Sequence, residues 1–242
     1  MSDDMPIRPA ATVIIIRDGA EGAESLETLL VRRSAGLAFH GGSWVFPGGR
    51  IDDADFPATP DGAPDRVADA EIAARAAAVR EAKEEASLVI DPSTLVPWAH
   101  WTTPPGRTRR FATWFYMAAA PAGRHEVVVD GSEISDHRWF APAEALQARR
   151  DGEIELPAPT FVSLLRLAGC RDVASALDHA RTYPYLELAP RPVAVEGGTV
   201  TIYNGDVAYD PEAGDDIDRP GIRHRLYMVG QDWRYENQLT DR

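Results

Sequence analysis

The segment AEIAARAAAVREAKEEA, residues 70–86, constrains the fold more than any other part of the chain. Its alanines and helix-forming charged residues predict a helix that begins between Val67 and Ala70 and ends at Ala86. Strand-like segments, rich in β-branched and aromatic residues, occur both before and after this helix. They cover residues 11–19, 27–33, 44–46, 95–104, 109–120 and 133–140. A long helix set among strands predicts a mixed α/β fold in layers.

The C-terminal third of the chain predicts shorter elements. Helices are expected in residues 141–152, 157–170 and 172–182, the second of them begun by a proline. After Pro184, a hairpin is expected around Gly197 and Gly198, followed by a last strand at residues 222–230. The acidic run at residues 206–218 is interpreted as a solvated loop, as is the Pro- and Gly-rich segment 52–65.

Three glutamates stand close together on the predicted long helix. At 100° per residue, Glu81, Glu84 and Glu85 fall within an arc of about 100°. Like charges at this spacing repel one another by a few tenths of a kcal/mol per pair. The cluster is therefore either an acidic solvated face or a site for hard divalent cations, which prefer oxygen ligands. Arg80 stands four residues before Glu84, where it can pair with that carboxylate.

Composition limits the classes of partner. The 242 residues carry a net charge of −13, which argues against general nucleic-acid binding. A phosphate-bearing substrate must therefore meet bound cations or a local arginine cluster. No apolar run approaches the roughly 18–20 residues that cross a bilayer, and the acidic amino terminus lacks an apolar signal core. A single cysteine, Cys170, is compatible with a reducing compartment. We therefore expect a cytoplasmic protein with no membrane partner, and a homodimer is compatible with the sequence.

A basic turn interrupts this acidic chain between two predicted strands. The sequence GRTRR places Arg107, Arg109 and Arg110 together. Because a guanidinium matches phosphate oxygens with two parallel hydrogen bonds, the turn is a candidate phosphate site. It is equally interpreted as a solubilising turn. The neighbouring aromatic residues are expected in the core rather than stacked on a base; they are Trp101, Phe111, Trp114 and Phe115.

The upstream FPGG and the helix REAKEEASL together resemble the Nudix hydrolases, whose box is G-x5-E-x7-R-E-U-x-E-E-x-G-U with U aliphatic. Gly49 fits the first glycine, and the second half is fitted by Arg80, Glu81, Ala82, Glu84, Glu85 and Leu88. The resemblance implies that Glu81, Glu84 and Glu85 bind catalytic Mg²⁺ or Mn²⁺, joined by the backbone of Gly49. It implies that Arg80 orients the glutamates. Glu133 lies where many Nudix enzymes place an extra loop glutamate, as a general base or metal ligand, although it is also consistent with an ordinary surface residue.

Three features depart from the box. Gly49 and Arg80 are 31 positions apart, against 14 in the plain pattern, so about 17 residues are inserted. Counted back from Arg80, the first box glutamate falls at Ile72, with Glu71 one position away. Ser87 stands in place of the box glycine, where a helix often ends in a left-handed residue, so a strain of about 1 kcal/mol is expected there.

Residues 29–49 resemble the coenzyme A diphosphatases of the Nudix family, which carry the pattern LLTxRSx3Rx3Gx3FPGG. The matching positions are Leu29, Leu30, Arg33, Ser34, Gly42, Phe46, Pro47, Gly48 and Gly49. Val31 replaces the threonine and Ala38 replaces the second arginine. The long insertion and the segments around residues 100–119 and 155–168 resemble the acyl-CoA diphosphatase branch.

The resemblance implies a Nudix α/β/α sandwich at residues 8–189, with a C-terminal extension at 190–242. It implies hydrolysis of a nucleoside diphosphate linked to another group, with coenzyme A or an acyl-CoA as the favoured substrate. Arg33 and the arginines of the basic turn are the expected substrate-binding residues. Two alternatives stay open: a diphosphatase for ADP-ribose, a dinucleotide or a nucleotide sugar, and a Nudix domain that senses a ligand or serves as a scaffold.

Overall fold

The computed structural model describes residues 5–19, 25–37, 40–58, 64–123, 126–129, 131–210, 212 and 216–239. Within these residues, the larger sheet has eight strands: β1 (Ile7–Asp18), β2 (Leu26–Arg33), β3 (Trp44–Val45), β4 (Gly48–Arg50), β5 (Val96–Thr102), β6 (Arg110–Ala119), β7 (Ile134–Phe140) and β8 (Leu186–Leu188). Their order is β3-β2-β1-β6-β5-β8, with β4 pairing β1 and β7 pairing β2. The sheet is mixed, since β1–β6 and β5–β8 are parallel while the other pairs are antiparallel.

Helices cover both faces of this sheet. The alternation of side chains along β1 sends Val13 and Ile15 to one face and Ile14 and Ile16 to the other, and all four are fully buried. The first face packs against α1 (Ala70–Ala86). The second packs against α2 (Pro142–Arg150), α3 (Ala158–Leu167) and α4 (Val173–Thr182). The predicted α/β/α sandwich is confirmed.

The long helix lies close to the sheet because alanines form its inner side. Ala73, Ala74, Ala77 and Ala78 have no exposed surface. The helix begins and ends within the predicted limits. Two short 3₁₀ helices, Asp53–Asp55 and Pro92–Thr94, flank it in sequence.

A second, antiparallel sheet forms the C-terminal part and packs beside α2 and α3. Its strands are β9 (Arg191–Val195), β10 (Gly198–Ile202), β11 (His224–Val229) and β12 (Arg234–Asn237). The predicted hairpin is confirmed, with Gly197 at φ 77° in its turn. Trp233 packs edge-on against Phe161 of α3, and Arg149 of α2 donates to the carbonyl of Gln231 at 2.6 Å. The change from one sheet to the other falls between Leu188 and Arg191.

The strand expected at residues 44–46 ends at Val45, and Gly48 and Gly49 belong to a separate strand, β4, which pairs with β1. The two segments interpreted as solvated loops each contain a buried aspartate, Asp55 and Asp206. Asp206 was placed in a solvated loop, yet its side chain is fully buried and accepts two hydrogen bonds, at 2.7 and 2.5 Å, from the buried guanidinium of Arg225. Within the described ranges, no helix combines the length and apolar character needed to cross a bilayer. Ala38 lies outside the described residues.

Candidate active site

The two glycines of β4 allow a close approach of α1 and of the neighbouring strand β1. A Cβ on Gly49 would lie 2.2 Å from Glu81 Oε1, and a Cβ on Gly48 would lie 2.3 Å from Thr12 Oγ1. The N–H of Gly48 donates to Glu85 Oε2 at 2.9 Å. The absence of a side chain at Gly49 therefore leaves room for the Glu81 carboxylate, and its absence at Gly48 lets β4 lie close to Thr12 of β1.

Arg80 connects two of the three glutamates. Its Nη1 donates to Glu81 Oε1 at 2.8 Å and to Glu84 Oε2 at 3.0 Å. Its Nη2 donates to the carbonyl of Arg50 at 2.9 Å, which ties the helix to the residue that follows Gly49. The structure thus places Arg80 in contact with Glu81 and Glu84, and its orienting role stays a prediction.

Asp55 holds Arg80 from the opposite side and was missed by the sequence analysis. Its two carboxylate oxygens accept from Nε at 3.0 Å and from Nη2 at 2.9 Å, and these bonds raise the pKa of Arg80. The Asp55 side chain is only 5% exposed. It stands six positions after Gly49, where the G-x5-E pattern places its acidic residue. Counting forward from Gly49, instead of back from Arg80, would have found it.

Glu71 and Ile72, the two positions considered for the first box glutamate, do not contact Arg80 in the way that Asp55 does. Glu71 accepts two hydrogen bonds from Arg75 in the first turns of α1, and Ile72 is exposed. The inserted residues therefore fall between Asp55 and Arg80, in the segment before α1 and the first turns of the helix.

Glu85 is the most deeply buried of the three glutamates, at 6% exposure. Removal from water raises its pKa to about 8, and the nearby charge of Glu81 adds to this shift, while the Gly48 N–H opposes it. Burial also raises the pKa of Glu81, against the opposing effect of Arg80. These buried carboxylates are destabilised as anions, so a bound cation would relieve the energetic cost of ionising them.

A rim of charged residues lies beside Glu85. Arg33 Nη2, at the end of β2, is 3.9 Å from Glu133 Oε2, and both charges act on the Glu85 carboxyl. The backbone supports this contact, because the N–H of Ser34 donates to the carbonyl of Glu133 at 2.8 Å. The structure thus brings Arg33 and Glu133 to the glutamate helix from about 50 residues away on either side in sequence.

His40 extends this rim and was not singled out from the sequence. Its φ is 53°, a left-handed conformation that is uncommon outside glycine. Partial burial lowers its pKa, as do the positive charges of Arg33 and Arg107. Arg107 therefore acts on the same rim as Arg33.

A comparison with known protein families identifies the family to which this chain belongs. The family model described as NUDIX domain matches residues 6–158. The chain belongs to the Nudix family.

Individual relatives agree with this Nudix assignment. Acyl-coenzyme A diphosphatase NUDT19 is 35% identical over 77 residues in Gallus gallus and 37% identical over 73 residues in Homo sapiens. Those matches cover 30% and 29% of this chain but only 20% and 19% of the relatives, so the chain spans about a fifth of their length. A solved NUDIX hydrolase from Alicyclobacillus acidocaldarius has a TM-score of 0.60 at 24% identity and covers 72% of this chain and 97% of its own. The matches confirm the predicted family and fold and support the predicted enzyme class, a diphosphatase.

Members of the Nudix family generally use divalent metal ions, and the donors present here fit such an ion in chemical type. Glu81, Glu84 and Glu85 offer oxygen atoms on one side of the helix, next to the backbone of Gly49. Within the described residues, no three His, Cys, Asp or Glu side chains already converge as ligands. Arg80 binds two of these carboxylates, so a cation would compete with its guanidinium for Glu81 and Glu84.

The other two arginines of the basic turn, Arg109 and Arg110, have different surroundings. Arg110 Nε donates to the carbonyl of Thr103 at 3.2 Å and so closes the turn. Arg109 is exposed.

The aromatic residues near the basic turn were expected in the core. Trp101 and Phe115 are buried, as expected, whereas Phe111 and Trp114 are partly exposed.

Ser87 ends the Nudix helix in the predicted left-handed conformation, with φ 56° and ψ 24°. The N–H of Leu88 donates to the carbonyl of Ala82 at 3.2 Å, a bond typical of this helix end. The Ser87 hydroxyl donates to the carbonyl of Val128 at 3.0 Å, an interaction that the box glycine would lack.

Proposed function

We propose that this chain is a metal-dependent Nudix diphosphatase that cleaves a nucleoside diphosphate linked to another group, with coenzyme A or an acyl-CoA as the favoured substrate. The observation that carries the chemistry is the buried Glu85 carboxyl, joined to the Gly48 N–H and set beside Glu81 and the Arg80 pair. The products would be adenosine 3′,5′-bisphosphate and 4′-phosphopantetheine or its acyl form.

The glutamates and Arg80 have separate roles in this proposal. Glu81, Glu84 and Glu85 would hold Mg²⁺ or Mn²⁺, which when bound neutralises charge on the diphosphate and activates water. Arg80, fixed by Asp55, keeps the glutamates oriented. Because Arg80 is held by a buried carboxylate, it stays in place when Glu81 or Glu84 turns away from it.

The rim residues would bind substrate. Arg33 and Arg107 provide guanidinium groups for phosphate oxygens, and Arg109 and Arg110 add positive charge in the same turn. Glu133, close to Arg33 and Glu85, is the proposed general base or additional metal ligand.

Coenzyme A is favoured by two sequence observations. Nine positions between Leu29 and Gly49 match the coenzyme A diphosphatase pattern. The relatives named acyl-coenzyme A diphosphatase are similar over a segment of 73 to 77 residues.

A substrate panel tests the proposal. Coenzyme A, an acyl-CoA, ADP-ribose, a dinucleotide and a nucleotide sugar are incubated with Mg²⁺ or Mn²⁺, and the products are identified by mass. We expect the highest kcat/KM for coenzyme A or the acyl-CoA and loss of turnover with EDTA. Glu84→Gln and Glu85→Gln should each lower turnover by orders of magnitude while the protein stays folded, since each removes charge from the cation site.

The outcomes separate the substrate from the chemistry. A higher kcat/KM for ADP-ribose or a nucleotide sugar would refute coenzyme A and leave the Nudix diphosphatase. Wild-type rates in both glutamine variants would refute the assigned metal ligands. Absence of metal-dependent turnover with every compound would favour the sensor or scaffold alternative.

A further inference from the structure

A cavity lies beside the residues that follow Gly49, at the end of β4. Its volume is about 370 Å³, and its charged lining consists of Arg8, Arg50, Arg66, Asp52 and Asp53. Arg80 contacts two of its lining residues, because its Nη2 donates to the carbonyl of Arg50 at 2.9 Å and lies 3.9 Å from Asp52. The same guanidinium binds Glu81 and Glu84, so Arg80 links the cavity to the glutamates.

Three distant parts of the chain build this cavity. Arg8 comes from the start of β1 and Arg50 from the end of β4, directly after Gly49. Arg66 comes from the segment between Asp55 and α1, where the inserted residues fall. Its Nη2 binds Asp53 Oδ1 at 2.7 Å, and its guanidinium lies over the ring of Phe56, so this pair closes one wall.

The arginines of the cavity differ in how closely a carboxylate approaches them. Asp53 engages Arg66 closely, whereas Asp52 is 3.9 Å from Arg50, beyond hydrogen-bond distance. Within the described residues, the guanidinium of Arg8 makes no ion pair or hydrogen bond. Three positive and two negative side chains leave an excess of one positive charge, with Arg8 and Arg50 available to a ligand in a protein whose net charge is −13.

We infer that Arg8 and Arg50 bind a second phosphate group of the substrate, a monoester on the ribose, separate from the diphosphate that is cleaved. The inference rests on the proposed function, since a diphosphate held at Glu81, Glu84 and Glu85 would have this cavity on its Arg80 side. The cavity volume lies within the range of small-molecule sites, roughly 300–1,000 Å³. Two guanidiniums without close carboxylate partners match the oxygens of a phosphate monoester.

Binding of reaction products tests the inference without turnover. The affinities of adenosine 3′,5′-bisphosphate and AMP are measured by calorimetry for the wild type, Arg8→Ala, Arg50→Ala and the control Arg181→Ala. Arg181 is an exposed arginine of α4, on the opposite face of the sheet. Arg50→Ala retains the carbonyl that accepts from Arg80, so this variant changes only the guanidinium.

We expect the wild type to prefer the bisphosphate, and each cavity variant to reduce that preference by about three- to tenfold, as is typical of a partly solvated charge-assisted hydrogen bond. The preference should also shrink at high salt, because both arginines are exposed. Arg181→Ala should keep the wild-type preference. Equal affinity for the two nucleotides in the wild type, or an unchanged preference in both cavity variants, would overturn the inference.

The rates of hydrolysis of coenzyme A and dephospho-coenzyme A separate this inference from the proposed function. Equal kcat/KM for the two compounds would overturn the second phosphate site and leave the diphosphatase. If neither compound is cleaved with Mg²⁺ or Mn²⁺, the proposed reaction fails, and the calorimetric comparison still decides whether the cavity binds the second phosphate.

Discussion

Replacing Glu85 by glutamine is expected to stabilise the metal-free protein while it removes activity. Burial raises the pKa of the Glu85 carboxyl from an ordinary 4.5 to about 8, so the folded state keeps a proton that the unfolded state releases. The free energy of unfolding therefore falls as pH rises through the window from 4.5 to 8. Between pH 5 and pH 7.5 this single group should destabilise the wild type by about 3 kcal/mol, from 1.36 kcal/mol per pKa unit.

Urea unfolding in EDTA at pH 5 and pH 7.5 measures this difference. Glu85→Gln should lose about 3 kcal/mol less stability than the wild type between the two pH values. The glutamine oxygen can still accept from the Gly48 N–H, so the comparison isolates the titration. Glu84→Gln is the matched control, because the Glu84 side chain is 57% exposed and should leave the pH dependence unchanged. Equal losses in the wild type and Glu85→Gln would refute the account based on burial.

Three further changes test the surroundings of the glutamates. Asp55→Asn should lower kcat at least tenfold and destabilise the protein by about 2 kcal/mol, because Arg80 loses a buried charged partner. Steady-state kinetics and urea unfolding measure the two effects. An unchanged kcat would contradict the orienting role of Arg80. Gly49→Ala should lower kcat at least tenfold with less than about 1 kcal/mol lost in unfolding, since the three atoms nearest the added Cβ belong to the Glu81 carboxylate, which must move to make room. Thermal unfolding should show Ser87→Gly more stable than Ser87→Ala by about 1 kcal/mol, because both lose the hydroxyl and only alanine keeps the left-handed strain; equal stability would refute that strain.

The local sequence pattern was sufficient to predict the long helix and both of its ends. The period of 3.6 residues placed Glu81, Glu84 and Glu85 on one side, and the alanines produced a helix that begins at Ala70. The left-handed Ser87 also followed from its position at the end of the helix. These features depend on interactions within about one helical turn, so the sequence alone contains the relevant neighbours.

The partners of those glutamates depended on the tertiary structure. Asp55 meets Arg80 across 25 positions, Gly48 meets Glu85 across 37, and Asp206 and Arg225 are brought together in the C-terminal sheet. A spacing rule could have indicated Asp55, six residues after Gly49. No periodicity could have indicated that Arg8 and Arg50 share one cavity, because their separation is set by the pairing of β1 with β4. Sequence thus determined which residues lie on one helix face, whereas strand register decided which distant charges they meet.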